Sequence, residues 1–115
     1  FEQSADPKVR LNQLIHHALK TSEDSLTLGD ALGSLCQELS RQGGELASAA
    51  TSLMNEMMSW VEGQFKAMGK TNDTRLLAAH LVSGLQGTSL LGVTLADHEL
   101  LDKQAQSLNH WVAAQ

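Results

Sequence analysis

The sequence predicts an all-α protein, a helical bundle of about five helices that forms one domain. Three observations lead to this fold class. Apolar residues recur at spacings of three and four along most of the 115 residues. Leu and Ala, which favour helix, dominate the apolar residues. No segment alternates apolar and polar residues convincingly enough to predict a strand.

The first two helices are predicted from a cap, an apolar stripe and a glycine pair. Asp6 is expected to cap the first helix, and Pro7 suits its first position. The stripe ends near Thr21 and comprises Leu11, Leu14, Ile15, Ala18 and Leu19. Thr27 and Asp30 resemble a capping box for the second helix, which Gly43-Gly44 should end. The second helix is expected to turn inward Leu32, Leu35, Cys36 and Leu39.

Three longer helices are predicted to follow. The third runs from about Glu45 to Met68 and holds the helical period throughout. Asn72 can cap the fourth, which runs to about Leu95 and is apolar on more than one face. A helix that is apolar nearly all round must be buried on most sides. Asp97 can cap the fifth, whose stripe comprises Leu100, Leu101, Ala105, Leu108, Trp111 and Val112.

Composition limits the classes of protein to which the chain can belong. Hydrophobic residues make up 42% and charged residues 18%, which is enough apolar material for a packed core. Eight Lys and Arg stand against thirteen Asp and Glu, a formal net charge of −5. The basic residues are scattered, whereas a surface that binds phosphates needs them concentrated. We therefore expect no direct contact with nucleic acid.

The chain carries a single cysteine, Cys36, which excludes an intrachain disulfide and fits a reduced, cytoplasmic setting. No uninterrupted apolar run approaches the roughly 20 residues that a membrane-spanning helix needs. We therefore expect no membrane association.

The fourth helix carries the clearest functional signal, because glycine is unfavourable inside a helix. Gly84, Gly87 and Gly92 each cost roughly 1 kcal/mol relative to alanine there. Together with Thr88 they let another backbone come close, and a second copy of the chain is one such partner. The alternative is that these glycines serve only close packing within one chain. A methionine group (Met54, Met57, Met58 and Met68) suits an adaptable apolar pocket, although ordinary core filling is the commoner reason for such a group.

The residues that usually carry catalysis are not arranged for it. No acidic residue has a histidine three positions later, as helical di-metal sites require. His16 and His17 are adjacent and point about 100° apart on a helix. His80 lies in the most apolar helix, where an interior or pocket-lining histidine is the commoner reading. We therefore expect no enzyme activity, no metal site and no cofactor.

Two segments resemble the TetR family of transcriptional regulators. Residues 29–40 are similar to the segment that opens a helix in the middle of that family's effector domain, with matches at Gly29, Leu32, Gly33, Leu35, Glu38 and Leu39. Asp30, Ser34 and Cys36 depart from the family pattern, which usually has Cys, Asn and Ala there. Residues 85–92 resemble the family's penultimate helix, in which a Gln-Gly or Glu-Gly pair precedes an apolar run.

The resemblance implies a function and an organisation for residues 1–115. They would form the effector-binding and dimerisation domain of a regulator expected to be a repressor, without the N-terminal helix-turn-helix domain. The effector would be small and apolar or amphipathic, the domain would be a homodimer, and DNA would be bound only by the missing domain. Helix faces and family position give as candidate pocket residues Leu14, His17, Leu35, Met54, Met57, Met58, Val61, His80 and Leu81. The expected dimer interface comprises Gly84, Gly87, Thr88, Leu91, Leu101, Leu108, Trp111 and Val112.

A function from another class is a small helical interaction module that binds a protein partner and no small molecule. Ligands that raise the melting temperature would favour the regulator, because a molecule that binds only the folded state stabilises it.

Overall fold

The structure, a computed structural model, describes residues 5–24 and 31–115, with the side chains of residues 5–19 and 36–115. It contains five α-helices and, within these residues, no strand. The prediction of an all-α bundle of about five helices is confirmed. The helices are α1 (Pro7–Asp24), α2 (Ala31–Gln42), α3 (Gly44–Ala67), α4 (Thr74–Leu95) and α5 (His98–Ala113).

The helix boundaries follow from local chemistry, with one correction. Asp6 caps α1 as predicted, since its carboxylate accepts a hydrogen bond from the Lys8 N–H at 2.9 Å. Asp97 caps α5, accepting from the Leu100 N–H at 3.0 Å. The predicted cap at Asn72 is wrong. Asp73 holds the N-cap position of α4 in a left-handed conformation, with φ 59°, and its side chain makes no capping hydrogen bond.

The glycine pair between α2 and α3 turns the chain as the sequence predicts. Gly43 and Gly44 have φ values of 71° and 61°, which non-glycine residues seldom adopt. The turn is so tight that α3 begins at Gly44 itself. α1 extends to Asp24, three residues beyond its predicted end near Thr21. The proposed capping box of Thr27 and Asp30 lies outside the described residues.

Four helices form the hydrophobic core, and α2 packs beside it. The core unites buried side chains of α1, α3, α4 and α5, which are Leu11, Ile15, Leu19, Val61, Phe65, Ala78, Leu81, Val82, Leu85, Leu101, Leu108 and Val112. α2 packs mainly against α3, where Cys36 is buried next to Ala50. Because α2 lies to one side of the core, the surfaces of α3 and α4 next to α2 face away from the core.

Two of the three glycines in α4 are required by packing within the chain. A Cβ atom on Gly84 would lie 2.9 Å from Leu108 Cδ2, and one on Gly92 would lie 2.6 Å from Leu101 Cγ. Both leucines belong to α5 and are buried. The missing side chains therefore let α5 lie close against α4. Gly84 and Gly92 therefore pack against α5 of their own chain.

By length and composition, α4 is apolar enough to cross a membrane, although polar residues interrupt its apolar sequence. The core helix of a soluble protein passes the same test, so one such helix among the described residues is weak evidence. One side of α4 is buried in the core of this bundle.

Substitution of Gly92 by alanine tests the close approach of α4 and α5. The new methyl group would push Leu101 out of its position, and overpacking of this kind typically costs ~1–3 kcal/mol. The helix preference of alanine returns up to about 1 kcal/mol. We expect a net loss of about 1–2 kcal/mol in the free energy of unfolding for Gly92→Ala, measured by urea denaturation followed by circular dichroism.

Gly63→Ala is the matched control for this prediction. Gly63 lies inside α3, and a Cβ added there meets nothing within 4 Å. Gly63→Ala should therefore raise the stability by about 0.5–1 kcal/mol. Equal stability of the two variants would show that Leu101 does not press against Gly92.

Candidate functional site

An open groove of about 680 Å³ lies where α2 packs beside α3 and α4. α2 reaches this position because the turn at Gly43 and Gly44 folds it back along α3. The groove takes residues from all three helices. They are Cys36, Gln37, Ser40, Arg41, Ala50, Thr51, Met54, Asn55, Gln86, Gly87 and Leu90.

The apolar part of the groove has a buried base and an exposed edge. Cys36 and Ala50 are buried, and the Cys36 thiol lies 4.0 Å from the Ala50 carbonyl oxygen. Met54 is half-buried and also packs against the core. Leu90, at the edge formed by α4, is 56% exposed. An apolar ligand lying on this base would cover Met54 and Leu90 and remove apolar surface from water.

Polar side chains provide the remaining lining. The Arg41 guanidinium lies 3.8 Å from the Glu38 carboxylate, a highly exposed pair that contributes little to stability. Asn55 accepts a hydrogen bond from Arg75 at 2.8 Å, which links α3 to α4. The side-chain oxygen of Gln86 is buried and has no hydrogen-bond partner. Because this oxygen is closed off in the present conformation, a ligand in the groove could donate a hydrogen bond to it only after the Gln86 side chain turns.

A second polar link holds the start of α4 against α3. The Thr74 hydroxyl donates a hydrogen bond to a Glu62 carboxylate oxygen at 2.7 Å, and the Lys66 ammonium lies 3.7 Å from the same oxygen. The Thr74 hydrogen bond and, less strongly, the charges of Lys66 and Arg75 hold the pKa of Glu62 below its ordinary value, while desolvation opposes them. The links through Asn55 and Glu62 therefore fix α4 relative to α3, and with it two walls of the groove.

The side of α4 that faces away from the core is apolar and open. We call it the outer face, and it comprises Leu76, His80, Ser83, Gly87, Leu90, Leu91, Thr94 and Leu95. Four leucines on it are more exposed than any other large apolar side chain in the described residues, at 66% for Leu76, 56% for Leu90, 46% for Leu91 and 59% for Leu95. The chain itself therefore buries only one side of α4, although the sequence predicts burial on most sides.

Gly87 lies near the middle of the outer face and differs from the other glycines of α4. A Cβ added at Gly87 meets nothing within 4 Å, so packing within the chain does not require glycine there. Gly63 in α3 is equally open, but the exposed residues on its side of the helix include Ser59, Glu56 and Ser52. Gly87 instead lies between leucines, in a stretch from Leu76 to Leu95 with no Asp, Glu, Lys or Arg.

The predicted pocket residues are spread over the core and the surface. Val61 and Leu81 are completely buried in the core, and Leu14, Met54, Met57 and Met58 pack against it. His17 and His80 are exposed, and the Leu35 side chain lies outside the described residues. Among the predicted residues whose side chains the structure describes, Met54 alone lines the groove. Most of the methionine group therefore fills space around the core.

The predicted interface residues also separate into two groups. Thr88, Leu101, Leu108 and Val112 are buried by their own chain, and Gly84 lies against Leu108. Trp111 is half-buried, with ring centroids 4.4 Å from His80 and 5.7 Å from Phe65. Gly87 and Leu91 alone lie on the outer face, and Gly87 lines the groove as well.

Sequence reasoning missed most of the groove. The prediction that Cys36 faces inward is confirmed, and no sequence signal points to Gln37, Arg41, Thr51 or Asn55 as groove residues. The glycine turn at residues 43 and 44 was the signal that α2 would lie along α3. In the part of the chain that the structure describes, no three His, Cys, Asp or Glu side chains come together as metal ligands would.

Replacement of Thr74 by valine tests the link between α3 and α4. A lowered folded-state pKa means that ionised Glu62 stabilises the fold above its ordinary pKa, and that this stability is lost as pH falls through the folded value. Thr74→Val should raise the Glu62 pKa, measured by carboxyl NMR, and weaken the fall in stability over that acidic interval. Thr51→Val, which removes a hydroxyl bonded only within α3, should leave the Glu62 pKa unchanged. An unchanged pKa in Thr74→Val would contradict the assigned cause.

Comparison with known proteins does not show a family for this chain. No protein-family model, curated protein or solved structure shows a significant match to this chain. The resemblance to TetR regulators therefore rests on the two segments alone, and a function has to be argued from the groove and the outer face.

Proposed function

We propose that this chain is the regulatory domain of a TetR-type transcriptional repressor. Two copies pair through the outer face of α4, and the groove between α2, α3 and α4 binds a small amphipathic effector. The single observation that carries the proposal is Gly87, an open glycine in the middle of an uncharged apolar helix face. DNA would be read by a helix-turn-helix domain outside these 115 residues.

The outer face suits pairing with an identical copy because it carries no fixed charge. The whole chain has a formal net charge of −5, so most pairs of identical surfaces repel each other. The stretch from Leu76 to Leu95 avoids that repulsion, and His80 is its one titratable residue. The small side chains at Ser83 and Gly87 let a second helix come close between the leucines. A two-fold symmetric pair would bring the same patch of both copies together.

The groove suits a small molecule in size and in chemistry. Its volume of about 680 Å³ falls within the roughly 300–1,000 Å³ that is typical of ligand sites. The apolar base at Cys36, Ala50 and Met54 can cover the body of a ligand. Gln86 lines the groove, and its unpartnered oxygen can accept a hydrogen bond from the polar end of the ligand once the side chain turns toward it. This arrangement favours an amphipathic effector with at least one hydrogen-bond donor.

The proposed mechanism is a shift between two arrangements of a dimer. The dimer would hold two recognition helices about 34–36 Å apart, the spacing of successive half-sites on DNA. An effector that binds the other arrangement more tightly reduces DNA binding by that difference in affinity. α4 can transmit the change because it forms both a wall of the groove and the pairing face.

The second candidate is a helical interaction module that binds a different protein. The same exposed leucines favour it, since an amphipathic helix of a partner could lie along the outer face. The two candidates differ in self-association, because an interaction module has no need to form a dimer.

Introduction of a charge at the centre of the outer face tests pairing. Gly87→Glu places two carboxylates close together in a symmetric dimer, and like charges in an interface cost several kcal/mol. We expect the dimer dissociation constant, measured by sedimentation equilibrium, to rise by about 100-fold or more. Gly63→Glu, an identical change at an open glycine of α3, should leave it unchanged. A wild-type chain that stays monomeric at every concentration would instead favour the interaction module.

Filling the groove tests the effector site. In a thermal-shift screen of acyl chains, aromatic acids and hydrophobic drugs, a ligand at a hundred times its dissociation constant stabilises the fold by about 2.7 kcal/mol. Thr51→Trp places an indole in the groove and should abolish the shift. Ser59→Trp, on the same helix but outside the groove, should retain it. Equal shifts in both variants would place the ligand elsewhere.

A further inference from the structure

We infer that the groove is completed by the second copy, so that the effector site is shared between two subunits. The inference rests on the proposed dimer and adds to it a role for the partner in the site. The inference follows from two residues that belong to both surfaces. Gly87 and Leu90 line the groove and also belong to the outer face of α4.

The geometry of α4 connects the two surfaces. Residues three and four apart on a helix are neighbours on its surface, so Gly87, Leu90 and Leu91 form one continuous strip. The groove lies on one side of this strip, where it is lined by Gln86 and Gly87. Leu91 lies on the side of the strip that faces away from the groove. A helix packed on the outer face would have its axis about 8–10 Å away and would extend over the edge of the groove.

Because Gly87 has no side chain, this edge is open both toward the groove and toward the outer face. Apart from the two chain neighbours of Gly87 and the backbone of α4, no atom in the described part of the chain lies within 4 Å of a Cβ built there. A helix on the outer face can therefore come close to α4 at the point where the groove ends. Its side chains would form a roof over Leu90, and Leu90 is the most exposed apolar residue of the groove lining.

The charge pattern makes this strip the place where a second copy of the chain can dock with least repulsion. The strip from Leu76 to Leu95 has no charged residue, whereas the chain as a whole is acidic. Contact between two uncharged faces avoids the repulsion that any other pairing of two such chains meets. A second copy would also cover Leu90, which the described part of the chain leaves 56% exposed.

A shared site makes effector binding and dimerisation reciprocal. An effector that contacts both copies binds the dimer more tightly than the monomer, and it must then strengthen the dimer by the same factor. Regulation would act through the assembly of the pair as well as through its arrangement.

The one thiol of the chain provides a test that needs no effector. Cys36 lines the groove, so the rate of its reaction with Ellman's reagent, a bulky aromatic disulfide, reports access to the groove. The rate is measured at protein concentrations below and above the dimer midpoint found by sedimentation. We expect a rate at least about tenfold lower in the dimer, because the second copy covers the opening. Gly87→Glu should react at the monomer rate at all concentrations, and Gly63→Glu should follow the wild type.

The possible results separate the two proposals. A chain that dimerises while Cys36 reacts at an unchanged rate overturns the shared site and leaves the dimer standing. A chain that stays monomeric at every concentration overturns the dimer, and the shared site with it. The comparison of wild-type concentrations needs no variant, so a folding defect in Gly87→Glu does not affect it.

Discussion

The close approach of α4 and α5 determines how the other surfaces of this bundle are used. Leu108 and Leu101 of α5 occupy the space that side chains at Gly84 and Gly92 would fill. This contact fixes the rotation of α4, because both glycines must face α5. Leu81, Leu85 and the other buried residues then turn toward the core. The leucines at positions 76, 90, 91 and 95 are left on the opposite side, where their own chain does not cover them.

One helix therefore has three different surroundings around its circumference. Its inner side belongs to the core, and Gln86 and Gly87 border the groove. Its outer face is apolar and uncharged. The links from Asn55 and Glu62 on α3 keep this division in place, because they hold the first turn of α4 against its neighbour. A rotation of α4 would alter the groove and the outer face together, which gives the proposed coupling between them a physical basis.

Local signals predicted the helices, and distant contacts determined the site. The caps at Asp6 and Asp97 and the turn at Gly43-Gly44 follow from residues next to them in sequence, so they were predictable. The groove depends on which residues of α2 and α4 lie opposite each other, and periodicity fixes a helix face without fixing its partner. From the sequence alone, Gly84, Gly87 and Gly92 cannot be told apart, because each is a glycine inside the same apolar helix. Their difference lies in Leu108 and Leu101, which are 24 and 9 residues away in sequence.

The strength of the proposed pairing follows from the size of the outer face. Burial of a leucine that is already about half covered contributes on the order of 1 kcal/mol, so four leucines from each copy supply on the order of 8 kcal/mol. Association costs about 4–15 kcal/mol in lost rigid-body freedom. The free energy gained by burying the leucines is therefore close to the cost of association. Rim contacts from α5 or a bound ligand must supply the rest of the binding free energy. A dimer near this balance responds strongly to an effector, because a typical coupling of about 1–3 kcal/mol changes its dissociation constant about 5- to 150-fold.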